Sequence, residues 1–142
     1  MKIGFKKMHQ AAILPRYAHI GDAGMDVCSV EDYELQPGER HLFSTGWAAE
    51  IPSGYEIQVR PRSGLANKHG ITVLNSPGTV DSNYRGLKGV ILINLGSFSV
   101  NIKAGDRIAQ LVVAPTTKCE PVEVAEVHDT ERGTGGFGST GR

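Results

Sequence analysis

The chain has 142 residues, a length that suits one ordinary domain. Its 15 lysines and arginines balance 15 aspartates and glutamates, which disfavours a general nucleic-acid binder because such proteins normally carry a basic excess or stripe. No stretch approaches the ~18 consecutive apolar residues of a membrane span, and residues 1–7 lack the apolar segment of a signal peptide. We therefore expect neither a nucleic-acid nor a membrane partner. The expected location is cytoplasmic, with a nuclear or a virus-encoded intracellular protein as alternatives.

The hydrophobic pattern along the chain has a period of two rather than 3.6, which is typical of strands. Residues 55–60 and 122–127 alternate apolar and polar side chains, as half-buried strands do. Residues 90–95 and 108–113 are rich in β-branched side chains, which predicts strands buried on both faces. Turn signals with proline or glycine separate these runs at 36–39, 51–54, 76–78 and 103–106. The pattern predicts an all-β sandwich or barrel.

One short segment predicts a helix. Ser63 is placed to cap a helical turn over residues 64–69, and Gly70 is placed to end it in the left-handed conformation. Arg62 and Ser63 at a helix N-terminus would add a guanidinium and a hydroxyl to free backbone N–H groups, which together make an anion site. A plain helix cap beside a surface arginine is the alternative interpretation.

The polar segment 75–86 lies between two apolar runs and is predicted to form a hairpin. In it, the Asn75 amide could read the edge of a base, Asp81 could accept a proton, and Tyr84 could stack on a flat group. A hairpin with turn-forming residues and no further role is the alternative for each residue alone.

Glycine is the compositional outlier, with 18 residues against a typical share of about 7%. Five of them lie in residues 132–142, which are too polar to order themselves. This segment is either a disordered tail or a flap that closes on an anion through bare backbone N–H groups and Arg132. The G-x-G-x-x-G spacing at 133–138 is not a dinucleotide fingerprint, because no helix follows it.

The cysteines and histidines do not indicate a metal site. Cys28 and Cys119 lack the spacing of a metal or redox pair. We expect two buried free thiols, with a disulfide between them as the alternative. The five histidines never fall at the spacing of zinc ligands.

Taken in order, five segments resemble the five motifs of the trimeric deoxyuridine triphosphatase family. They are AGMD at 23–26, PRSGLA at 61–66, GTVDSNYRG at 78–86, RIAQL at 107–111 and RGTGGFGSTG at 132–141. Each motif alone is modest, but five in order over residues 22–141 are specific. The resemblance implies a jelly-roll-like β fold, with a domain at 1–131 and a flexible glycine-rich lid at 132–142, assembled as a homotrimer whose active sites are shared between subunits.

The resemblance also implies a reaction, in which dUTP and water give dUMP and pyrophosphate. This would keep uracil out of DNA and supply dUMP for thymidylate synthesis. Asp81 would be the general base that orients a water for attack on the α-phosphorus. Mg²⁺ would be held by the triphosphate and waters rather than directly by the protein, with Asp26 acting through a water.

The same resemblance assigns the substrate contacts. Asn75 and backbone groups of the hairpin would read uracil, and Tyr84 would pack under the deoxyribose and exclude a 2′-hydroxyl. Arg62, Ser63, Gly64 and Gln110 would hold phosphate oxygens, and the lid would cover uracil with Phe137. The full implied set is Arg62, Ser63, Gly64, Asn75, Thr79, Val80, Asp81, Tyr84, Gly89, Gln110, Arg132, Phe137, Gly138, Ser139 and Thr140.

Two departures from the family pattern flank the implied base. Asn83 stands where many members carry a second Asp, and Leu87 stands where Glu or Gln is common. Two rival functions are also open. Deoxycytidine triphosphate deaminase shares the implied fold but needs a catalytic Glu after the hairpin, and residues 88–93 contain no carboxylate. A nucleotide-gated binding protein would be expected to carry an inserted segment, for which this length leaves little room.

Overall fold

Antiparallel strands dominate the computed structural model, which describes residues 1–140. The part of the predicted lid at Gly141 and Arg142 lies outside the described residues. The strands are β1 (Gly4–Lys7), β2 (Gly24–Cys28), β3 (Tyr33–Leu35), β4 (Arg40–Glu50), β5 (Tyr55–Arg60), β6 (Ile71–Val73), β7 (Gly78–Val80), β8 (Leu87–Asn94), β9 (Val100–Ile102) and β10 (Arg107–Pro115). The helix among the described residues, α1, is Ser63–His69. The all-β prediction with one short helix is confirmed.

Two four-stranded sheets and a small ribbon build the jelly-roll-like fold. The strand orders are β1-β4-β8-β6, β2-β10-β5-β7 and β3-β9. The hydrophobic core takes side chains from both larger sheets, including Phe43 and Leu92 from the first and Val27, Ile57 and Leu111 from the second. Each of these side chains is removed from water, and burial of this kind is the main stabilising contribution to a fold.

Three of the predicted strands form, but their burial differs from expectation. Residues 55–60 are β5, and the runs at 90–95 and 108–113 fall largely within β8 and β10. The expectation that these two runs are buried on both faces is wrong for both strands. In β8, Ile91 and Ile93 are only half-buried, and in β10 the same is true of Val112 and Val113. The reason is that an antiparallel sheet commonly packs only one face on the core.

The predicted strand at 122–127 does not form in the described chain. Its apolar side chains are exposed, with Val122 at 72% and Val127 at 84% of full accessibility. Alternation shows that a segment has one apolar face, but it does not supply a neighbouring strand to complete the hydrogen bonds. No strand within residues 1–140 takes that position.

The helix confirms one predicted end and corrects the other. Gly70 ends α1 in the left-handed conformation, with φ of 70°, and its N–H donates to the carbonyl of Ala66 at 3.0 Å. Ser63 is not the cap, because it is already the first helical residue. Arg62 precedes the helix in an extended conformation, and no side-chain hydrogen bond caps the first turn. No helix within residues 1–140 is long and apolar enough to cross a membrane.

The cysteine expectation is half wrong. Cys28 is buried at the end of β2 and is a free thiol, as expected. Burial is the main cause that raises its pKa, with a further contribution from the Asp26 carboxylate. Cys119 is also free but exposed, because it lies in the segment after β10 that has no regular structure.

The end of α1 generates a test of stability. A Cβ at Gly70 would lie 2.6 Å from the backbone nitrogen of Gly96, in addition to the cost of a side chain at positive φ. We expect Gly70→Ala to lower the free energy of unfolding by about 2–4 kcal/mol, measured by urea denaturation.

Gly38→Ala is the matched control. Gly38 also has a positive φ of 78°, but a Cβ there meets nothing within 4 Å. This variant therefore carries the backbone cost without the collision and should lose much less stability. Equal losses in the two variants would show that the contact with Gly96 contributes nothing.

Candidate active site

The hairpin segment and β8 line a cavity of about 350 Å³. Its volume lies within the range of about 300–1,000 Å³ that is common for small-molecule sites. Five of the predicted substrate-binding residues meet in this cavity: Asn75, Thr79, Val80, Tyr84 and Gly89.

Two glycines give this cavity its depth. A Cβ at Gly78 would lie 3.2 Å from the Asn75 amide nitrogen, and a Cβ at Gly89 would lie 2.6 Å from the Leu42 side chain. The segment is not a simple hairpin between flanking strands, because β7 pairs with the earlier strand β5. That pairing fixes the wall that Thr79 and Val80 contribute.

Tyr84 is folded back over the turn that joins β7 to β8. Its hydroxyl donates to the carbonyl of Leu87 at 3.1 Å, and its backbone N–H donates to the carbonyl of Asp81 at 3.2 Å. A Cβ at Gly86 would collide with the Tyr84 hydroxyl. The bare backbone of Gly86 is therefore what lets the Tyr84 ring take this position.

Asp81 is exposed and lies in an adjoining groove of about 700 Å³ rather than in the same cavity. The groove contains two carboxylates and two cationic side chains, so its charge is mixed. The charged and polar residues that line it with Asp81 include Glu56, Asn83, Arg85 and Lys118. An exposed carboxylate is accessible to water, as a general base requires. Of the two family departures, Asn83 lines this groove and Leu87 lines the neighbouring cavity.

Asp26 holds two arginines together. Its carboxylate accepts hydrogen bonds from Arg62 Nε and from Arg107 Nη1, each at 3.1 Å. Arg62 Nη1 also donates to the carbonyl of Arg107 at 3.1 Å. Both Asp26 oxygens therefore accept a hydrogen bond from an arginine. The Asp26 side chain is only 15% exposed, and hydrogen bonds between charged groups are strong.

A third cavity of about 660 Å³ contains Asp26 and Gln110 together with Asp22 and Arg60. Gln110 Nε2 donates to the carbonyl of Pro61 at 3.2 Å, which ties β10 to the start of the helix. Ser63 and Gly64 are exposed at the uncapped first turn of α1. The predicted phosphate-binding residues thus lie near one another, but apart from the cavity of Asn75 and Tyr84.

The described part of the tail makes local contacts. Arg132 Nε donates to the carbonyl of Gly135 at 2.7 Å, and the Ser139 N–H donates to Gly136 at 3.0 Å. Phe137 is fully exposed and has a positive φ of 47°. Within residues 1–140, the chain does not bring the predicted lid residues Arg132, Phe137, Gly138, Ser139 and Thr140 to any of the three cavities.

Sequence reasoning missed several residues of the cavity that Asn75 and Tyr84 line, which we call the nucleoside-sized cavity. Leu42 and Ser44 enter it because β4 pairs with β8 in the register Leu42↔Ile91 and Ser44↔Gly89. No sequence signal gives that register directly. Lys88 also lines the cavity. The sequence could have indicated this residue, because it is a charged side chain at an inward-facing position of a strand.

The sequence profile of the dUTPase family matches residues 10–141. The chain belongs to the dUTPase family. Among relatives, it is 58% identical to the deoxyuridine 5′-triphosphate nucleotidohydrolase of Wolinella succinogenes, over all of this chain and 95% of that one. It is 56% identical to the Nautilia profundicola protein of the same name, over the full length of both. The resemblance seen in the five motifs is thereby confirmed.

Solved structures of dUTPases have the same fold. The Staphylococcus bacteriophage 80α dUTPase with dUpNHpp is 31% identical, has a TM-score of 0.89 and shares 99% of each chain. A dUTPase mutant from phage φ11 of S. aureus, described with a structural Mg(II) ion, is 26% identical with a TM-score of 0.83, over 89% of this chain and 98% of that one. The jelly-roll-like fold predicted from the motifs is confirmed by this similarity.

The contacts of Asp26 generate a stability test. Asp26→Asn removes the charge that holds Arg62 and Arg107, so we expect the free energy of unfolding at pH 7 to fall by about 1.5–3 kcal/mol. Urea denaturation measures the loss.

Asp32→Asn is the control for a surface carboxylate. Asp32 pairs with Lys103 at 3.6 Å, and both side chains are more than 60% exposed. Exposed pairs of this kind contribute little, so this variant should stay close to the unmodified chain. A loss for Asp26→Asn no larger than for Asp32→Asn would contradict the anchoring described here.

Proposed function

We propose that this chain hydrolyses dUTP to dUMP and pyrophosphate, and so lowers dUTP, keeps uracil out of DNA and supplies dUMP for thymidylate synthesis. The observation that carries the proposal is the meeting of Asn75, Tyr84 and Gly89 in one nucleoside-sized cavity beside the groove that holds Asp81. Membership of the dUTPase family and the names of the relatives support the same activity.

Base selection is assigned to the cavity wall between Asn75 and Gly89. The Asn75 amide offers both a donor and an acceptor, and the backbone of Thr79, Val80 and Gly89 adds further polar groups at the same wall. A base that fails to pair with these groups leaves them unsatisfied, which discriminates far better than shape alone. Rejection of a 5-methyl group is assigned to Leu42 and Val59, which line the same cavity.

Sugar selection is assigned to Tyr84. Its ring lies at the mouth of the cavity, half-exposed, with its hydroxyl already bonded to the carbonyl of Leu87. A ring held in this way packs under a deoxyribose and collides with a 2′-hydroxyl. Ribonucleotides are therefore poor substrates.

The chemical step is assigned to Asp81 as general base. Asp81 takes a proton from a water molecule while the oxygen of that water forms a bond to the α-phosphorus. At the same time, the bond between the α-phosphorus and the oxygen that bridges to the β-phosphate breaks. Pyrophosphate leaves with the bond electrons, and no covalent enzyme intermediate is needed. A positioned base contributes a factor of roughly 10²–10⁴.

The phosphates are assigned to Arg62, Ser63, Gly64 and Gln110. Arg62 is held in place by Asp26, so a bound phosphate does not have to order that side chain first. Within residues 1–140, no group of three or more His, Cys, Asp or Glu side chains is placed to hold a metal, and both Asp26 oxygens already bind arginines. Mg²⁺ would therefore be held by the triphosphate and waters, where it would neutralise phosphate charge, and Asp26 would reach it only through a water.

A homotrimer with shared sites accounts for the separation of these groups on one chain. The phosphate-binding residues and the tail lie apart from the nucleoside cavity, so a site needs more than one copy to be complete. The exposed apolar side chains of residues 122–127 offer an apolar surface to a neighbour. In this arrangement, residues 1–131 form the β domain, and the tail that begins at Arg132 forms a lid that closes over a neighbouring subunit's site; its last two residues lie outside the described chain.

Asp81→Asn tests the general base. We expect kcat for pyrophosphate release from dUTP with Mg²⁺ to fall by about 10²–10⁴-fold, because the amide cannot accept the proton. The control is Glu56→Gln, which removes the other carboxylate of the same groove. Gln58 Nε2 donates to Glu56 at 2.7 Å, and a glutamine side chain can still accept that hydrogen bond. Undiminished turnover in Asp81→Asn would remove Asp81 from this role.

Truncation before Arg132 tests the lid and the shared site together. We expect the truncated protein to remain trimeric by native mass spectrometry but to lose turnover. When truncated chains are refolded together with full-length Asp81→Asn chains, activity should return, because a mixed trimer unites an intact Asp81 with a tail from another subunit. Mixtures that stay inactive would argue against shared sites, and dissociation of the truncated protein would make the tail structural.

A further inference from the structure

Lys88 occupies a position where an apolar side chain is expected. It faces inward on β8 together with Val90 and Leu92, and only 8% of it is exposed. Among the buried residues of the described chain, it is the one that carries a charge. Burying an ammonium costs stability unless its donors are satisfied.

The ammonium of Lys88 is used entirely on the turn that carries Tyr84. Its Nζ donates to the carbonyl of Tyr84 at 3.1 Å and to the carbonyl of Gly86 at 3.0 Å. The same atom lies 3.9 Å from the centroid of the Tyr84 ring, a cation–π distance. One side chain therefore fixes both the backbone on which Tyr84 sits and the ring itself.

Stability alone does not explain the charge. A buried ammonium carries a desolvation cost, and even buried ion pairs can often be replaced by apolar side chains of similar volume without loss of stability. Burial is the main cause that lowers the pKa of Lys88, and the nearby Arg85 guanidinium lowers it further. The charge of Lys88 therefore lowers stability rather than raising it. The contacts of its ammonium are all with Tyr84 and with the turn that carries Tyr84.

We propose that Lys88 is a positioning residue that holds the Tyr84 ring in place and thereby sets the discrimination between dUTP and UTP. This inference rests on the sugar-selecting role proposed for Tyr84. Without the ammonium, the turn loses two donors and the ring is held mainly by the bond from its hydroxyl to Leu87. A ring free to shift gives way to a 2′-hydroxyl.

Lys88→Met tests the inference, because methionine keeps the length of the side chain and removes the ammonium. We expect the ratio of kcat/KM for dUTP to that for UTP to fall about tenfold, as for the loss of a charged contact. Most of the change should appear as a higher KM for dUTP and a lower one for UTP. The ratio for dUTP against dCTP should not change, and the thermal midpoint should stay level or rise.

Thr45→Val is the matched control for disturbance of the strand. Thr45 Oγ1 donates to the carbonyl of Lys88 at 2.7 Å, so this variant perturbs the same buried residue without touching the ammonium. It should lower the thermal midpoint and leave the dUTP to UTP ratio unchanged. A drop in the ratio equal to that of Lys88→Met would overturn the inference, since any disturbance of β8 would then be enough.

Tyr84→Leu separates this inference from the proposed function. It should itself lower the dUTP to UTP ratio, and adding Lys88→Met should lower it no further. A lower ratio in Tyr84→Leu with an unchanged ratio in Lys88→Met overturns the inference alone. An unchanged ratio in Tyr84→Leu overturns the role of Tyr84 and the inference with it. If Lys88→Met does not fold, Lys88→Gln decides by the same ratio, which should fall.

Discussion

The pairing of β8 with β4 is the constraint on which both the core and the site depend. In this register, Phe43 faces Val90 and Ser44 faces Gly89. One face of β8 delivers Val90 and Leu92 to the core, while the other opens at Gly89 into the nucleoside-sized cavity. A slip of one residue would exchange the two faces, so the packing that stabilises the sheet also fixes where the cavity lies.

Charge in this molecule is local and is organised before any ligand arrives. The net charge is zero, yet Asp26 gathers two guanidinium groups and Lys88 brings an ammonium to the turn of Tyr84. Groups held in advance lose less conformational entropy when they bind. The neutral total and the charged site are therefore compatible, and the former still argues against general binding to nucleic acid.

The sequence predicted the fold class correctly, and the structure brings five of the predicted site residues together in one cavity, which local signals made possible. The alternation in β5 and the glycine that ends α1 both report local backbone geometry. The prediction of a strand at 122–127 was wrong, because alternation of apolar and polar residues does not reveal whether a partner strand exists. Leu42 was missed because it enters the cavity through a pairing distant in sequence. Ser63 was misplaced by one residue, the usual uncertainty of a helix end.

The proposed lid would connect affinity for the triphosphate to release of the product. In the described chain, the hydrogen bonds of the segment from Arg132 to Thr140 are local and reach no further than Thr130. Docking this segment onto a neighbouring site would cost on the order of 1 kcal/mol for each residue ordered. Charged hydrogen bonds from Arg132 and from backbone N–H groups to a triphosphate can offset that cost. A product with a single phosphate offers too few acceptors to do so. Closure in the proposed trimer would therefore be favourable with dUTP and unfavourable with dUMP, and the glycine-rich composition of the proposed lid would favour its opening after each turnover.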